Sequence, residues 1–238
     1  MSWKNNKRFW DKVTVQTLDQ GFEVHLDERP LNTPAQSRLI VPTRDLATAI
    51  AKEWRAQSEL IKPETMPFTK TANSAIDKVI AQKADVADML AAYGDSDLLC
   101  YRADTPGELV ARQNLAWDPV LKWAADTLDV RLVPRVGVMH IPQSQEATAK
   151  LAAMVHDLSG FELAGFHDLV ALTGSLILAF ATLHSFASPK EIWLLSRVDE
   201  IWQQDQWGED EEACAQEAIK RKAFYHAETF IRLVQRKA

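Results

Sequence analysis

With 238 residues, 47% of them hydrophobic and 25% charged, the chain has enough apolar material for one large core or two ordinary ones and too much for a disordered protein. A net charge of −6 and a pI near 5.6 argue against a nucleic-acid partner, which normally demands a basic face. Cys100 and Cys214 lie far apart and outside any C-x-x-C, which supports neither a disulfide framework nor a zinc site and suits a reducing compartment.

The first residues, MSWKNNKRFWDKV, are basic but lack an apolar stretch and a small-residue cleavage site, so they do not read as a secretory signal. Strand-like alternation begins at Val13, which leaves too few residues for a transit peptide and points to a bacterial cytoplasmic product. Lys12–Leu18 and Phe22–Asp27 alternate apolar and polar side chains around an Asp19-Gln20-Gly21 hairpin turn. Asp27-Glu28-Arg29-Pro30 predicts a second turn, and Arg38–Val41 a third short strand ending at Pro42. Thr43 is placed to cap a helix in which Leu46, Ile50 and Trp54 recur four apart. Pro63 and Pro67 bracket a loop, and from Thr69 helices dominate.

Two apolar stripes follow: Ala72, Ala75, Ile76, Val79 and Ile80, then Val86, Met89 and Leu90. Pro106 predicts the start of a helix carrying Trp117, Val120, Leu121 and Trp123, with Pro119 kinking or restarting it after Asp118. Asp129–Ile141 reads as a short strand or an extended link. Beyond it the periodicity predicts helices over Gln145–Leu158, Glu162–His184, Pro189–Gln206 and about Glu209–Arg236. The run Leu169–Ala187 has no Asp, Glu, Lys or Arg and approaches the length of a membrane span. Its Thr, Ser, Gly and His residues, and the lack of flanking Lys/Arg, favour a central buried helix over stable insertion. The resulting expectation is an α+β chain: a small antiparallel β-rich domain over 1–68 and a larger α-helical domain over 69–238.

Few residues carry the layout of chemistry. Asp95 and Asp97 form D-x-D after Gly94, a pair that can hold a divalent cation through phosphates, but whose ordinary role is turn making and capping. A metal-dependent hydrolase built on these two carboxylates and a histidine is the alternative reading. The six His show no ligand spacing, and His167 and Asp168, being adjacent, are expected on different sides of a helix. Ser175 sits in T-G-S-L and not in a nucleophile elbow, and no glycine run cradles a phosphate, so no cofactor is indicated.

The aromatic and acidic residues are grouped differently. Ser196–Ala213, SRVDEIWQQDQWGEDEEA, places Trp202 and Trp207 just before the run Glu209, Asp210, Glu211 and Glu212. Acids in a first helical turn complement the positive end of the helix dipole. Four in a row beside two Trp also match a protein-binding face with aromatic anchors and a charged rim. Ser196, Asp199 and Glu200 fall within one turn, with Arg197 placed for a local ion pair.

Read in order, RFWDKV, LDERPLNTP, VPT, EW, MPFTKTANSAID, YGDSDLLCYRA, WDPVLKW and SRVDEIWQQDQWGEDEEA resemble the assembly chaperones of the F-type ATP synthase that act on its alpha subunit, in the form shared by mitochondria and alphaproteobacteria. The resemblance runs from Arg8 to about Phe230. It implies a non-enzymatic chaperone that binds the unassembled alpha subunit and covers the surface otherwise met by the beta subunit. It also implies a β-rich N-terminal and a helical C-terminal domain, and a late acidic motif linked to function, matched here by Glu200 and Glu209–Glu212. Glu28 and Asn32 stand where the family more often has Gly and Lys.

Overall fold

Leucine, valine and phenylalanine at every second position of the first strands give one buried and one wet face, and this alternation builds an antiparallel hairpin. In the computed structural model, which describes residues 7–235, β1 (Val13–Leu18) pairs with β2 (Gly21–Leu26) in the register Val13↔Leu26, Val15↔Val24 and Leu18↔Gly21. The basic stretch up to Asn6, with Trp3, lies outside the described residues. Gly21 has φ +142, and a Cβ there would lie 2.5 Å from the Val41 carbonyl oxygen, so the strand crossing requires glycine.

β4 (Ile40–Val41) joins the other edge of β2, as the short third strand required. The second turn is tighter than expected. Only Asp27 and Glu28 turn; Arg29 and Pro30 form β3 against Leu26 and His25, where an edge position leaves the proline's missing donor unneeded. Glu23 is buried on β2 and bonded by His25 and Arg38.

Thr43 caps α1 (Arg44–Arg55): its hydroxyl oxygen accepts from Leu46 N–H at 3.3 Å and its O–H donates to the Leu233 carbonyl at 2.6 Å. The buried Glu53 carboxylate accepts the Phe68 and Thr69 amides at 2.7 and 2.8 Å, satisfying the opening turn of α2 (Pro67–Ser74). Burial pushes the Glu53 carboxyl above its ordinary value, against the pull of these donors. After α2 the chain makes a π-turn over Ala75–Val79. Ile80, just past the π-turn, and Met89, in α3 (Lys83–Ala91), are exposed and do not join the core as the expected stripes had them.

Two compact units result. Of the described residues, the first comprises 7–83, 158–165 and 229–235. Its core holds Trp10, Val24, Leu39, Leu46, Ile50 and Trp54, with the two indoles 5.2 Å apart, and Phe230 and Val234 complete it. The second comprises residues 84–157 and 166–228 and is mainly helical. The architecture is α+β, as the sequence predicts.

In the second unit α4 (Gly107–Thr127) runs unbroken through Pro119. The restart is unnecessary because the carbonyl that proline deprives of a partner belongs to Leu115, which is 82% exposed and open to water. The expected 162–184 helix instead divides into α6 (Gly160–Thr173) and α7 (Leu176–Leu183), after α5 (Gln145–Asp157). Gly174 turns the chain at φ +69, and Ser175 caps the new helix by accepting from Leu178 N–H at 2.9 Å. The expected 189–206 helix likewise divides into α8 (Pro189–Leu195) and α9 (Val198–Trp207). Among the described residues no helix is long and apolar enough to cross a membrane. The expected link 129–141 contains β6 (Arg135–Val136), which pairs in parallel with β5 (Tyr101–Arg102).

Candidate partner surface

The segment Ser196–Ala213 is built from helix ends. α8 is held at its start by a capping box between Ser188 and Glu191, and these bonds keep the Glu191 carboxyl below its ordinary range. At its end the Trp117 indole N–H donates to the Leu195 carbonyl at 2.7 Å. Arg197 then makes the corner. It bonds Glu200 at 2.8 Å and the Leu172 carbonyl at 3.1 Å, and it lies 5.0 Å from the Trp193 ring centroid. The local ion pair expected from the sequence is therefore Arg197–Glu200. Asp199 accepts from Gln113 at 2.7 Å.

The two candidate tryptophans fare differently. Trp202 is half-buried, with the Arg112 guanidinium 5.7 Å from its ring, and Arg112 also bonds Asp205 at 2.7 Å. Trp207, the last residue of α9, is 79% exposed. Gly208 follows at φ +87, and α10 (Glu211–Gln235) begins three residues later. Asp210 is its cap: Oδ1 accepts from Ala213 N–H at 2.7 Å. Glu209, Glu211 and Glu212 are exposed, and their side chains make no hydrogen bond or ion pair among the described residues. One of the four acids thus holds the helix and three stand free beside an uncovered indole. Replacing Asp210 by Ala should cost about 1 kcal/mol of stability through the lost cap, read as a lowered melting temperature. Lysine at 209, 211 and 212 opposes the helix dipole and should lower that temperature by a few degrees without unfolding the chain.

The D-x-D pair does not converge. Asp97 is fully buried, with Oδ1 accepting from Leu99 N–H and the Ser175 hydroxyl and Oδ2 from Ile177 N–H, at 2.8–3.0 Å. Burial pushes its carboxyl up to about 6, although every group it meets is a donor. Asp95 lies in a different setting, accepting from Gln143 N–H at 2.7 Å and facing His140 Nε2 at 3.1 Å. The hydrolase reading needs both carboxylates on one ion, and both are engaged in holding the backbone. Among the described residues no three His, Cys, Asp or Glu side chains gather as metal ligands. His167 and Asp168 correct the sequence reading. Their side chains bond at 3.0 Å because both reach along the half-exposed helix surface, and the carboxylate raises the imidazole's pKa. Cys100 is buried, and burial together with the nearby Asp97 pushes its thiol up to about 12, leaving it unreactive.

Sequence reasoning overlooked an exposed apolar stretch, Val133–Ile141, and the exposed Leu115 and Ile219. Its signal was present: five apolar side chains from Val133 to Ile141 with no helical period.

Comparison with known proteins gives these surfaces a setting. The family model described as "ATP12 chaperone protein" matches residues 7–125. Atp12 from Paracoccus denitrificans is 46% identical, and the match covers 98% of this chain and all of that one with a TM-score of 0.95. The Atu1473 protein of Agrobacterium tumefaciens is 40% identical over 96% of this chain and 86% of its own, with a TM-score of 0.91. Protein atp12, mitochondrial, of Schizosaccharomyces pombe is 26% identical over 219 residues, 87% of this chain and 75% of that protein. On a matched family model and whole-length likeness in both sequence and fold, the chain belongs to the ATP12 family of ATP synthase assembly chaperones, a family of chaperones and not of enzymes.

Proposed function

We propose that this chain binds the unassembled alpha subunit of the F-type ATP synthase and shields its subunit interface until the beta subunit replaces it. The supporting observation is the exposed Trp207, close in sequence to three carboxylates, Glu209, Glu211 and Glu212, that no group among the described residues engages. An aromatic anchor with a free acidic rim fits a partner that is apolar with basic margins. Glu200 stays on the same segment but shares its charge with Arg197.

An isolated subunit of a ring exposes apolar surface meant for its neighbour and associates with itself until that surface is covered. A holder then needs an off-route. Mass action provides one without nucleotide hydrolysis, because the neighbouring subunit competes for the covered surface. The setting we assign is the bacterial cytoplasm.

Two measurements test this reading. Purified chain mixed with isolated alpha subunit should form a complex at micromolar concentration and moderate salt, and excess beta subunit should displace it. No complex under those conditions would rule the reading out. The triple variant Glu209→Lys, Glu211→Lys, Glu212→Lys should weaken the complex at least tenfold at low salt, with the loss shrinking as salt rises. Unchanged affinity would confine these acids to helping the helix dipole.

A further inference from the structure

The opening turns of α10 touch the rest of their unit along one narrow side. Across residues 211–222 every side chain is exposed except Cys214 and Glu217, which are half-buried. Glu217 accepts the Trp193 indole N–H at 2.6 Å, and Phe224 packs on that indole with 5.4 Å between ring centroids. At 3.6 residues per turn, Glu212, Ala215 and Ile219 lie on the opposite side of the helix. Ile219 is 63% exposed there, with the small Ala215 and Ala223 one turn before and after it.

Charge is divided along the same stretch. Glu211 and Glu212 open it, Lys220 and Lys222 close it, and none of these four side chains makes a hydrogen bond or ion pair among the described residues. Within one helix a glutamate reaches a lysine three or four positions away. Here Glu212 and Lys220 stand eight apart and Glu211 and Lys222 eleven apart, so the helix cannot satisfy them itself. Turned end over end, however, the helix matches its own image. Both pairs have their midpoint at Gln216 or half a residue beyond it. A second copy laid antiparallel about a two-fold axis at Gln216 brings each glutamate level with a lysine of the other copy. Helical spacing sets Glu211 and Lys222 on one flank of Ile219 and Glu212 and Lys220 toward the other. Between the flanks Ile219 meets Ala215 of the second copy, and the small side chain lets the helices approach. A parallel pair would set glutamate on glutamate and lysine on lysine, so the charges fix the orientation too.

We infer that residues 211–222 of α10 form a self-association face through which two copies of this chain pair antiparallel. The paired length is ~18 Å, shorter than a permanent dimer interface needs, so the contact is weak and reversible. Pairing covers Glu211 and Glu212, two of the acids assigned above to the client, but the inference does not depend on that assignment.

Sedimentation velocity on the full chain tests it, at about 0.1 M salt, where a Debye length of ~10 Å screens the repulsion between two acidic bodies but not charges in contact. The sedimentation coefficient should rise toward that of a dimer between about 20 and 500 µM protein. Glu211→Lys, Glu212→Lys sets lysine against lysine and should weaken association roughly tenfold or more. That change takes the net charge from −6 to −2 (two substitutions of +2 each), so general repulsion falls and only a local clash accounts for the loss. Adding Lys220→Glu, Lys222→Glu restores opposite charges at the original net charge and should bring association back. All four positions are exposed, and circular dichroism at the working temperature confirms that each variant is folded. A parent that stays monomeric throughout overturns the inference. So does a one-sided reversal that associates like the parent, or a full swap that fails to recover. A monomeric parent whose Ile219→Ser variant loses alpha subunit would give this face to the client, and the self-association reading falls.

Discussion

Replacing Asp97 by Ala is expected to remove about 3–5 kcal/mol of folding stability. The carboxylate is wholly buried and joins two distant pieces of backbone: the turn at Leu98–Cys100 and the first turn of α7. Its removal strands the Leu99 and Ile177 amides and the Ser175 hydroxyl without water to receive them. Asp97→Asn should cost less, about 1–3 kcal/mol, because one oxygen survives while the amide nitrogen opposes the N–H that Oδ2 accepted.

The same pair of proteins separates the ionisation. Asp97 is pushed up to about 6 from an ordinary 3.8, so the folded chain holds its proton more tightly than the unfolded chain does. The associated stability is full below about pH 4 and lost as pH rises through 6, a span of about 3 kcal/mol. Denaturant titrations from pH 7.5 to 4.5 should therefore show a stabilising contribution on acidification that is missing in Asp97→Asn. Parallel profiles would mean that the three donors hold the carboxylate ionised throughout.

Trp117→Ala is expected to cost a similar 3–5 kcal/mol, lowering the melting temperature by about 10–15 °C. The indole is completely buried, the Arg102 guanidinium lies 5.2 Å from its centroid, and its N–H binds the last carbonyl of α8. Alanine leaves a cavity, an unpaired Leu195 carbonyl and an arginine without its ring. Trp117→Phe keeps most of the packing and should lose only about 1 kcal/mol, the worth of the hydrogen bond. Leu195 directly precedes the acidic segment, so Trp117→Ala should also weaken alpha-subunit binding; a phenylalanine variant that binds normally would assign that loss to packing.

Local features were legible. Alternation located the β1–β2 hairpin, Thr43 marked the start of α1, and the acidic run marked the start of α10. Each depends on residues within a few positions of one another. The breaks at Gly174–Ser175 and Ser196–Arg197 were hidden, because apolar side chains continue across both and only backbone conformation and capping reveal the corner. The role of Asp97 was hidden for another reason. D-x-D after glycine looks like any turn, and the groups that define its task, Ser175 and Ile177, are 78 and 80 residues away. Parallel pairing of β5 with β6 is non-local in the same way. Of the candidate surface, the position of the acids was readable but their division of labour was not: nothing in a run of four identifies Asp210 as the one whose oxygen meets Ala213.

The first unit draws on both ends of the chain, with Phe230 and Val234 seated among side chains from the first seventy residues. On a ribosome these partners emerge well after the others. At ordinary elongation rates the nearly 150 intervening residues take roughly 7–30 s, during which Trp10, Ile50 and Trp54 lack their final cover. The nascent chain thus passes through its own interval of uncovered apolar surface, and a stop codon before Phe230 would make that interval permanent.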